Sequence, residues 1–313
     1  MSANARVLVT GAKGCIGAWT ARYLLDQGHE VVALDLAGNM HRLEMILEDD
    51  LARVTLLEGD VLDVAALTET VQAQAITHIC HLAGLQVPTC RAKPTLGAQV
   101  NVVGTVNVFE AARAAGLKHI AYASSIAAYN IEGALEPRTL YGVWKLANEG
   151  TGRVYHLENG ISSIGLRPYI VYGLGRDFGM TSTPTTAMLS AAAGQDFHIS
   201  YGGVGIYHSG KDIGMIFARA ALATDIGRAA AYNPPGNTAH MSEITAAIAA
   251  ASGVSVTFDD NALPFPYEYD AESLADAIGP IEITPLAQGI AESVESFRRA
   301  LANGRIQAPQ PAA

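Results

Sequence analysis

The chain has 313 residues, half of them hydrophobic, and a formal net charge of −10. That length allows one large α/β unit or two lobes around a sizeable core. The negative charge argues against a nucleic-acid backbone as partner, and no apolar run reaches the length of a membrane span.

Arg6-Val7-Leu8-Val9 is a short apolar run of the kind that forms a buried parallel strand. The turn Thr10-Gly11-Ala12-Lys13-Gly14-Cys15-Ile16-Gly17 follows, and residues 16–27 have helical spacing. In a strand–turn–helix context each glycine has a physical role. Gly11 permits the tight turn. Gly14 lets a pyrophosphate approach the backbone N–H groups at the positive helix N-terminus. Gly17 lets the helix pack close to the strand. The spacing is Gly-x-x-Gly-x-x-Gly rather than Gly-x-Gly-x-x-Gly. A second strand, Glu30-Val31-Val32-Ala33-Leu34, ends at Asp35, where an acidic side chain would hold an adenosine ribose. No Arg occurs in Leu36-Ala37-Gly38-Asn39 to accept a 2′-phosphate, so NAD is expected over NADP, with Arg42 the nearest cation of that type.

Strand and helix signals then alternate, which predicts a Rossmann-type doubly wound parallel sheet. Strands are expected at 54–58, 76–82, 118–123 and 162–167, and helices at 65–72, 95–115 and 141–157. Ligands sit at the carboxyl ends of strands in such a sheet. Gly11, Asp35, Asp60, Ala83-Gly84 and Ser124-Ser125 all fall at those ends. Residues 177–186 read as a loop over the crevice, and 188–194 and 213–223 as helices. Later come a helix at 242–251 with Ser242 as its N-cap, a strand at 254–258 and a last helix within 284–301. The expected division is a cofactor-binding domain over 1–170, with 205–232 returning to it. A smaller, mainly C-terminal substrate-binding lobe takes 171–204 and 233–304, and 305–313 forms a disordered tail.

Cys15, Cys80 and Cys90 are an odd count without repeating spacing. They read as residues of a reducing compartment, not a disulfide framework. The chain runs straight into a strand, so no signal peptide is expected and a cytoplasmic location is. His78 and His81 bracket Cys80, but residues three apart on a strand face opposite sides, so no metal site is expected. Tyr267-Glu268-Tyr269-Asp270, after Pro264-Phe265-Pro266, reads as packing and loop.

Ser124-Ser125 and Tyr141-Gly142-Val143-Trp144-Lys145 form a second constellation. Tyr and Lys four apart project from one helix face. A free tyrosine has a pKa of about 10, too high for a base at neutral pH, and a nearby ammonium favours the phenolate. Such a tyrosine takes a proton from a substrate hydroxyl as hydride leaves its carbon, while a serine hydroxyl holds the same oxygen.

With these residues the chain resembles the extended short-chain dehydrogenase/reductases, also called the NAD-dependent epimerase/dehydratase family. The resemblance runs through the glycine turn, Gly59-Asp60-Val61, His81-Leu82-Ala83-Gly84-Leu85 and Asn101-Val102-Val103-Gly104-Thr105. It continues through Tyr122-Ala123-Ser124-Ser125, Tyr141-Gly142-Val143-Trp144-Lys145 and Leu166-Arg167-Pro168. It implies that Asp60 and Val61 contact adenine and that Leu82, Ala83 and Gly84 line the cofactor, with Cys15, Ile16 and Ser124 beside it. Asn101 would be structural or on the cofactor side. Ser125 would be the catalytic hydroxyl, Tyr141 the acid/base, and Lys145 the residue that tunes Tyr141 and holds the nicotinamide ribose. Pro168 to Ile170 would border the nicotinamide. Homodimers through a four-helix bundle are also implied, built from the helices near 101–115 and 141–157.

The chain departs from the sugar-nucleotide epimerases of that family. Arg167-Pro168-Tyr169-Ile170 replaces Arg-Tyr-Phe-Asn. Gly205-Ile206-Tyr207 stands where an Arg would hold a diphosphate, although Tyr207 and Asp212 remain. Gln86 replaces a frequent Lys, and Ile126-Ala127 after Ser125 lacks a dehydratase's acidic pair. The expected activity is therefore an NAD-dependent dehydrogenase acting on a small sugar-like or hydroxy-carbonyl compound without a nucleotide. An epimerase with tightly bound NAD is the alternative, and a non-catalytic NAD sensor is disfavoured by the intact Tyr and Lys. Gln86, Ser125, Tyr169, Arg176 and Thr183, with Thr181 and Ser182 nearby, are the substrate candidates by placement.

Overall fold

A computed structural model of the chain describes residues 4–224, 226–268 and 273–309. Seven parallel strands form the central sheet. They are β1 (Arg6–Thr10), β2 (Glu30–Asp35), β3 (Thr55–Glu58), β4 (His78–His81), β5 (His119–Ala123), β6 (Ser162–Leu166) and β10 (Ala229–Tyr232). Their order is β10-β6-β5-β4-β1-β2-β3. The order reverses between β1 and β4, and that switch point opens a crevice at the carboxyl edge.

Alternate residues of the strands feed two cores, because side chains alternate across a sheet. Leu8, Val32, Ile79 and Ile120 point to one face, with Leu67 of α3 (Val64–Ala73) and Phe109 of α6 (Gly104–Ala114). Val7, Val9, Val31, Cys80 and Ile164 point to the other, with α1 (Cys15–Asp26) and α9 (Gly210–Leu222). Full burial of each large aliphatic chain contributes roughly 2 kcal/mol, so a one-residue slip of any strand is strongly disfavoured. Helix α9 lies very close to α1. A Cβ at Gly214 would stand 2.5 Å from Trp19 Cβ, and one at Gly210 2.5 Å from its indole nitrogen.

The second layer of structure follows β7 (Ile170–Tyr172). β9 (Val204–Ser209) pairs in parallel with β7 and antiparallel with β11 (Asn237–His240). β8 (Phe197–Ile199) pairs with β12 (Val256–Phe258). α8 (Thr183–Ala192), α10 (Met241–Ser252) and α12 (Leu286–Ala302) pack beside these pairs, with the short α11 (Ala275–Ile278) against α9.

Several expectations are corrected. The long helix expected at 95–115 is three pieces, α5 (Pro94–Ala98), a π turn over Gln99–Val103, and α6, and a separate α4 (Val87–Ala92) precedes it. Pro94 lacks the N–H needed to continue α4. Helix α2 (His41–Leu47) and strand β10 went unread. The loop expected at 177–186 already becomes α8 at Thr183, because Pro184 suits the first helical turn. The N-cap of α10 is His240, not Ser242. Its ring Nδ1 accepts the Ser242 N–H at 3.2 Å, and the Glu243 carboxylate accepts the His240 N–H at 2.8 Å. In the tail, Arg305 N–H donates to the Ala300 carbonyl and its guanidinium pairs with Glu48 at 2.7 Å, so this residue is anchored. Tyr269, Asp270 and the last four residues lie outside the described residues.

Candidate active site

The crevice holds a cavity of about 560 Å³ that runs from the glycine turn past Asp35 to Tyr141 and Arg176. Volumes of that order suit a bound small molecule. The glycine turn forms one wall. Gly11 has φ +69°, and a Cβ there would lie 2.5 Å from the Ala83 nitrogen. A Cβ at Gly17 would lie 2.4 Å from the Gly11 carbonyl oxygen. Gly14 is the N-cap of α1 and offers no side chain to its first turn, which also contains no acidic residue. The unpaired N–H groups and the positive helix end therefore face the cavity as an anion site. Asp35 stands beside it. One carboxylate oxygen accepts the Lys13 N–H at 2.8 Å and the other accepts the Leu36 N–H at 2.8 Å. This arrangement fits a dinucleotide: a helix end without its own anion for the pyrophosphate, and a fixed carboxylate for a ribose diol. Arg42, the nearby cation, is tied to Asp177 at 2.5 Å.

Helix α7 (Leu140–Asn159) carries Tyr141 and Lys145. Thr139 caps it by accepting the Gly142 N–H at 3.0 Å, and Gly160 in the left-handed region ends it. Gly142 is decisive for position. A Cβ there would fall 2.0 Å from the Ala127 carbonyl oxygen, so only glycine lets the first turn of α7 rest on the short turn after Ser125. That contact sets Tyr141 and Ser125 on the same cavity. The Ser125 hydroxyl also accepts the Ala127 N–H at 3.2 Å.

Burial pushes the Tyr141 phenol above its ordinary range, while the Ser125 hydrogen bond and the Arg176 charge oppose that rise. Lys145 stands one turn further along α7. Its ammonium donates to the Ala123 carbonyl at 2.7 Å and lies 5.5 Å from the centre of the Tyr141 ring. Burial lowers Lys145 itself to about 8. Gly84 fills the narrow space beside it; a Cβ would stand 2.7 Å from Asn101 Oδ1 and 3.5 Å from Lys145 Nζ.

Every residue expected in the cofactor set lines this cavity except Asn101. Asn101 instead braces the loop after β4. Its Oδ1 accepts the Leu85 N–H at 3.0 Å and its Nδ2 donates to the Leu85 carbonyl at 3.1 Å. It sits in the π turn, and its carbonyl accepts from Thr105 Oγ1 and Asn148 Nδ2, both at 2.8 Å. Ser124 borders the cavity, but its hydroxyl donates to Glu149 at 2.5 Å. Among the substrate candidates, Gln86, Ser125, Tyr169 and Arg176 line the cavity. Thr183 does not, because it is taken up in the first turn of α8; Thr181 is the threonine that does. Tyr207 is buried in β9, and Asp212 accepts from the Thr284 N–H and hydroxyl at 2.9 Å, so neither reaches the cavity. Leu263 and Phe265 were missed as wall residues, since no local pattern places that distant loop there. Among the described residues no cluster of His, Cys, Asp and Glu is suited to a metal ion.

A doubly wound sheet with this glycine turn at its switch point is a nucleotide-binding fold of Rossmann type. Residues 7–212 match the model of the NAD dependent epimerase/dehydratase family. The chain belongs to that family and is thus an NAD-dependent enzyme of the extended short-chain dehydrogenase/reductase type. It is 40% identical over 127 residues to a UDP-glucose 4-epimerase of Klebsiella pneumoniae, covering 40% of this chain and 91% of that sequence. Three further curated epimerases are matched over only 38–42% of their own length. A UDP-glucose 4-epimerase from Brucella ovis in complex with NAD aligns over 94% of this chain and 98% of its own, at TM-score 0.77 and 24% identity. A partial-consensus L-threonine 3-dehydrogenase aligns over 94% and 99%, at TM-score 0.82 and 22% identity. At these identities the structural likenesses speak to the fold.

Proposed function

We propose that the chain is an NAD-dependent dehydrogenase of a secondary alcohol or lactol carbon in a small sugar-like or hydroxy-carbonyl compound without a nucleotide. The observation that carries this reading is the meeting of Ser125, Tyr141 and Lys145 on one cavity, with Lys145 one helical turn along α7 from Tyr141. NAD, when bound, supplies the acceptor for hydride from the carbinol carbon. Ser125 and Tyr141 converge on the substrate hydroxyl. The Tyr141 phenolate takes the hydroxyl proton, which leaves a carbonyl and a neutral phenol. The Lys145 ammonium, buried against the Ala123 carbonyl, supplies positive charge beside that phenolate. The glycine turn and Asp35 hold the dinucleotide, and the Asp35 carboxylate disfavours a 2′-phosphate.

The alternative is epimerisation, in which hydride returns to the same substrate. It is supported by the names of the curated relatives. Against it stands the sequence, in which Gly205-Ile206-Tyr207 has no Arg where the sugar-nucleotide epimerases carry one for a diphosphate. The test is NADH formation on a panel of free sugars, sugar acids, polyols and UDP-sugars, with products read by NMR. Accumulated NADH with a nucleotide-free substrate supports the dehydrogenase. A changed product without net NADH transfers the assignment to the epimerase. Asp35→Ala is expected to weaken NAD by about 1–3 kcal/mol, as for a lost charged hydrogen bond, read by calorimetric titration. Unchanged affinity would place the ribose elsewhere.

Val143, Val154 and Leu157 form an exposed apolar strip on α7, with Val103 exposed at the start of α6. This strip supports a homodimer built on those two helices. Three free cysteines fit a reducing, cytoplasmic setting. Among the described residues no helix is long and apolar enough to cross a membrane.

A further inference from the structure

We propose that Arg176 binds a carboxylate of the substrate, so that the enzyme acts on a small hydroxy acid or sugar acid rather than a neutral sugar. This rests on the dehydrogenase reading of the same cavity and narrows its substrate class.

Arg176 lies half-buried in the cavity wall. Its Nη2 donates to Thr181 Oγ1 at 3.1 Å, and its Nε is enclosed with no partner. Among the described residues it forms no ion pair, although Asp177 is its neighbour in sequence; that carboxylate is turned to Arg42 and His41. The other cations of the cavity are engaged. Lys13 donates to the Leu36 carbonyl, Lys145 to the Ala123 carbonyl, and Arg42 to Asp177. A guanidinium kept partly from water without a counter-charge is unfavourable, and a bound anion removes that cost.

The loop is shaped around this group. Gly179 has φ +113°, and a Cβ there would lie 2.2 Å from Gln86 Oε1 and 3.1 Å from Arg176 Nη2. The bare backbone thus lies directly on both side chains and holds an amide beside the guanidinium. A planar fork flanked by a neutral amide and a hydroxyl matches one planar monoanion through two parallel bonds. A diphosphate would leave its second charge without a free cation. Arg176 and Tyr141 line the same cavity, so the anion subsite and the reacting carbon share it. A short substrate spans them.

The experiment uses the full chain loaded with NAD and three matched probes: galacturonate against galactose, glucuronate against glucose, and 3-hydroxybutyrate against 2-butanol. Binding is read by calorimetry and turnover by NADH and NMR, in wild type, Arg176→Gln and Arg176→Lys. At least one acid is expected to bind and to exceed its neutral partner by about 100-fold in kcat/KM, mostly through KM. Arg176→Gln should erase that preference, and Arg176→Lys should restore part of it, with NAD affinity within twofold of wild type throughout. Failure of every acid to bind, or equal loss for acid and neutral partner, overturns the carboxylate site. So does Arg176-dependent binding of UDP-galactose alone, which would assign the guanidinium to a diphosphate. An acid that binds through Arg176 and is converted without net NADH keeps the site while removing the dehydrogenase reading.

Discussion

Tyr141→Phe is expected to lower kcat by about 10³-fold while NAD binds with nearly unchanged affinity. The substitution removes one oxygen. The ring, its packing on α7 and the 5.5 Å approach of Lys145 all remain, so the loss isolates proton transfer from binding. Burial is the main cause that raises this phenol, and Ser125 opposes the rise by favouring the phenolate. The wild-type rate of alcohol oxidation should therefore climb with pH as the phenolate fills, and that limb should vanish in the Phe variant. Ser125→Ala should shift the limb to higher pH, because removing a donor to the phenolate raises the phenol further. Steady-state kinetics across pH, with a separate NAD titration, check all three outcomes. A Tyr141→Phe enzyme within tenfold of wild type would mean that another group takes the proton.

What could be read in advance divides along the reach of each interaction. The glycine turn, the strand ending at Asp35 and the Tyr-x-x-x-Lys pair are local, and short-range sterics and helical spacing make them legible. Ser125 beside Tyr141 is already less local. It depends on Gly142 resting on the Ala127 carbonyl, a contact across two elements that no periodicity announces. The π turn at Asn101 has no local residue signature that a pattern of apolar positions would reveal. Strand β10, Ala229–Tyr232, carries three alanines and gains its place only by pairing with β6. Phe265 reaches the cavity wall from a loop nearly a hundred residues beyond Tyr169, whose ring it meets edge-on at 5.9 Å. Arg176 was placed by position in sequence alone. Only the structure shows that Asp177 is paired elsewhere and leaves it without a carboxylate.

Glu149→Ala is the stability prediction with the largest expected effect, about 3–5 kcal/mol. Glu149 and Arg167 have side chains only 6% and 8% exposed. Oε1 accepts from Arg167 Nε at 2.7 Å and from Ser124 Oγ at 2.5 Å, and Oε2 accepts from Arg167 Nη2 at 2.6 Å. Arg167 Nη1 extends the network to the Tyr129 hydroxyl at 2.8 Å. Removing the carboxylate leaves a guanidinium buried without its counter-ion, which is why the cost far exceeds that of a surface pair. For a chain of this size the midpoint of thermal unfolding should fall by on the order of 10 °C. The double variant Glu149→Leu with Arg167→Met should recover most of the loss, because an apolar pair of similar volume replaces both charges. If Glu149→Ala costs less than about 1 kcal/mol, or if the double variant is no better than the single one, the buried charge is not the cause. The same pair explains how the site keeps its shape. Glu149 lies one turn beyond Lys145 on α7, Ser124 precedes Ser125 at the end of β5, and Arg167 follows β6. One buried carboxylate thus ties α7, which carries Tyr141 and Lys145, to the end of β5, which leads into Ser125, and to the end of β6.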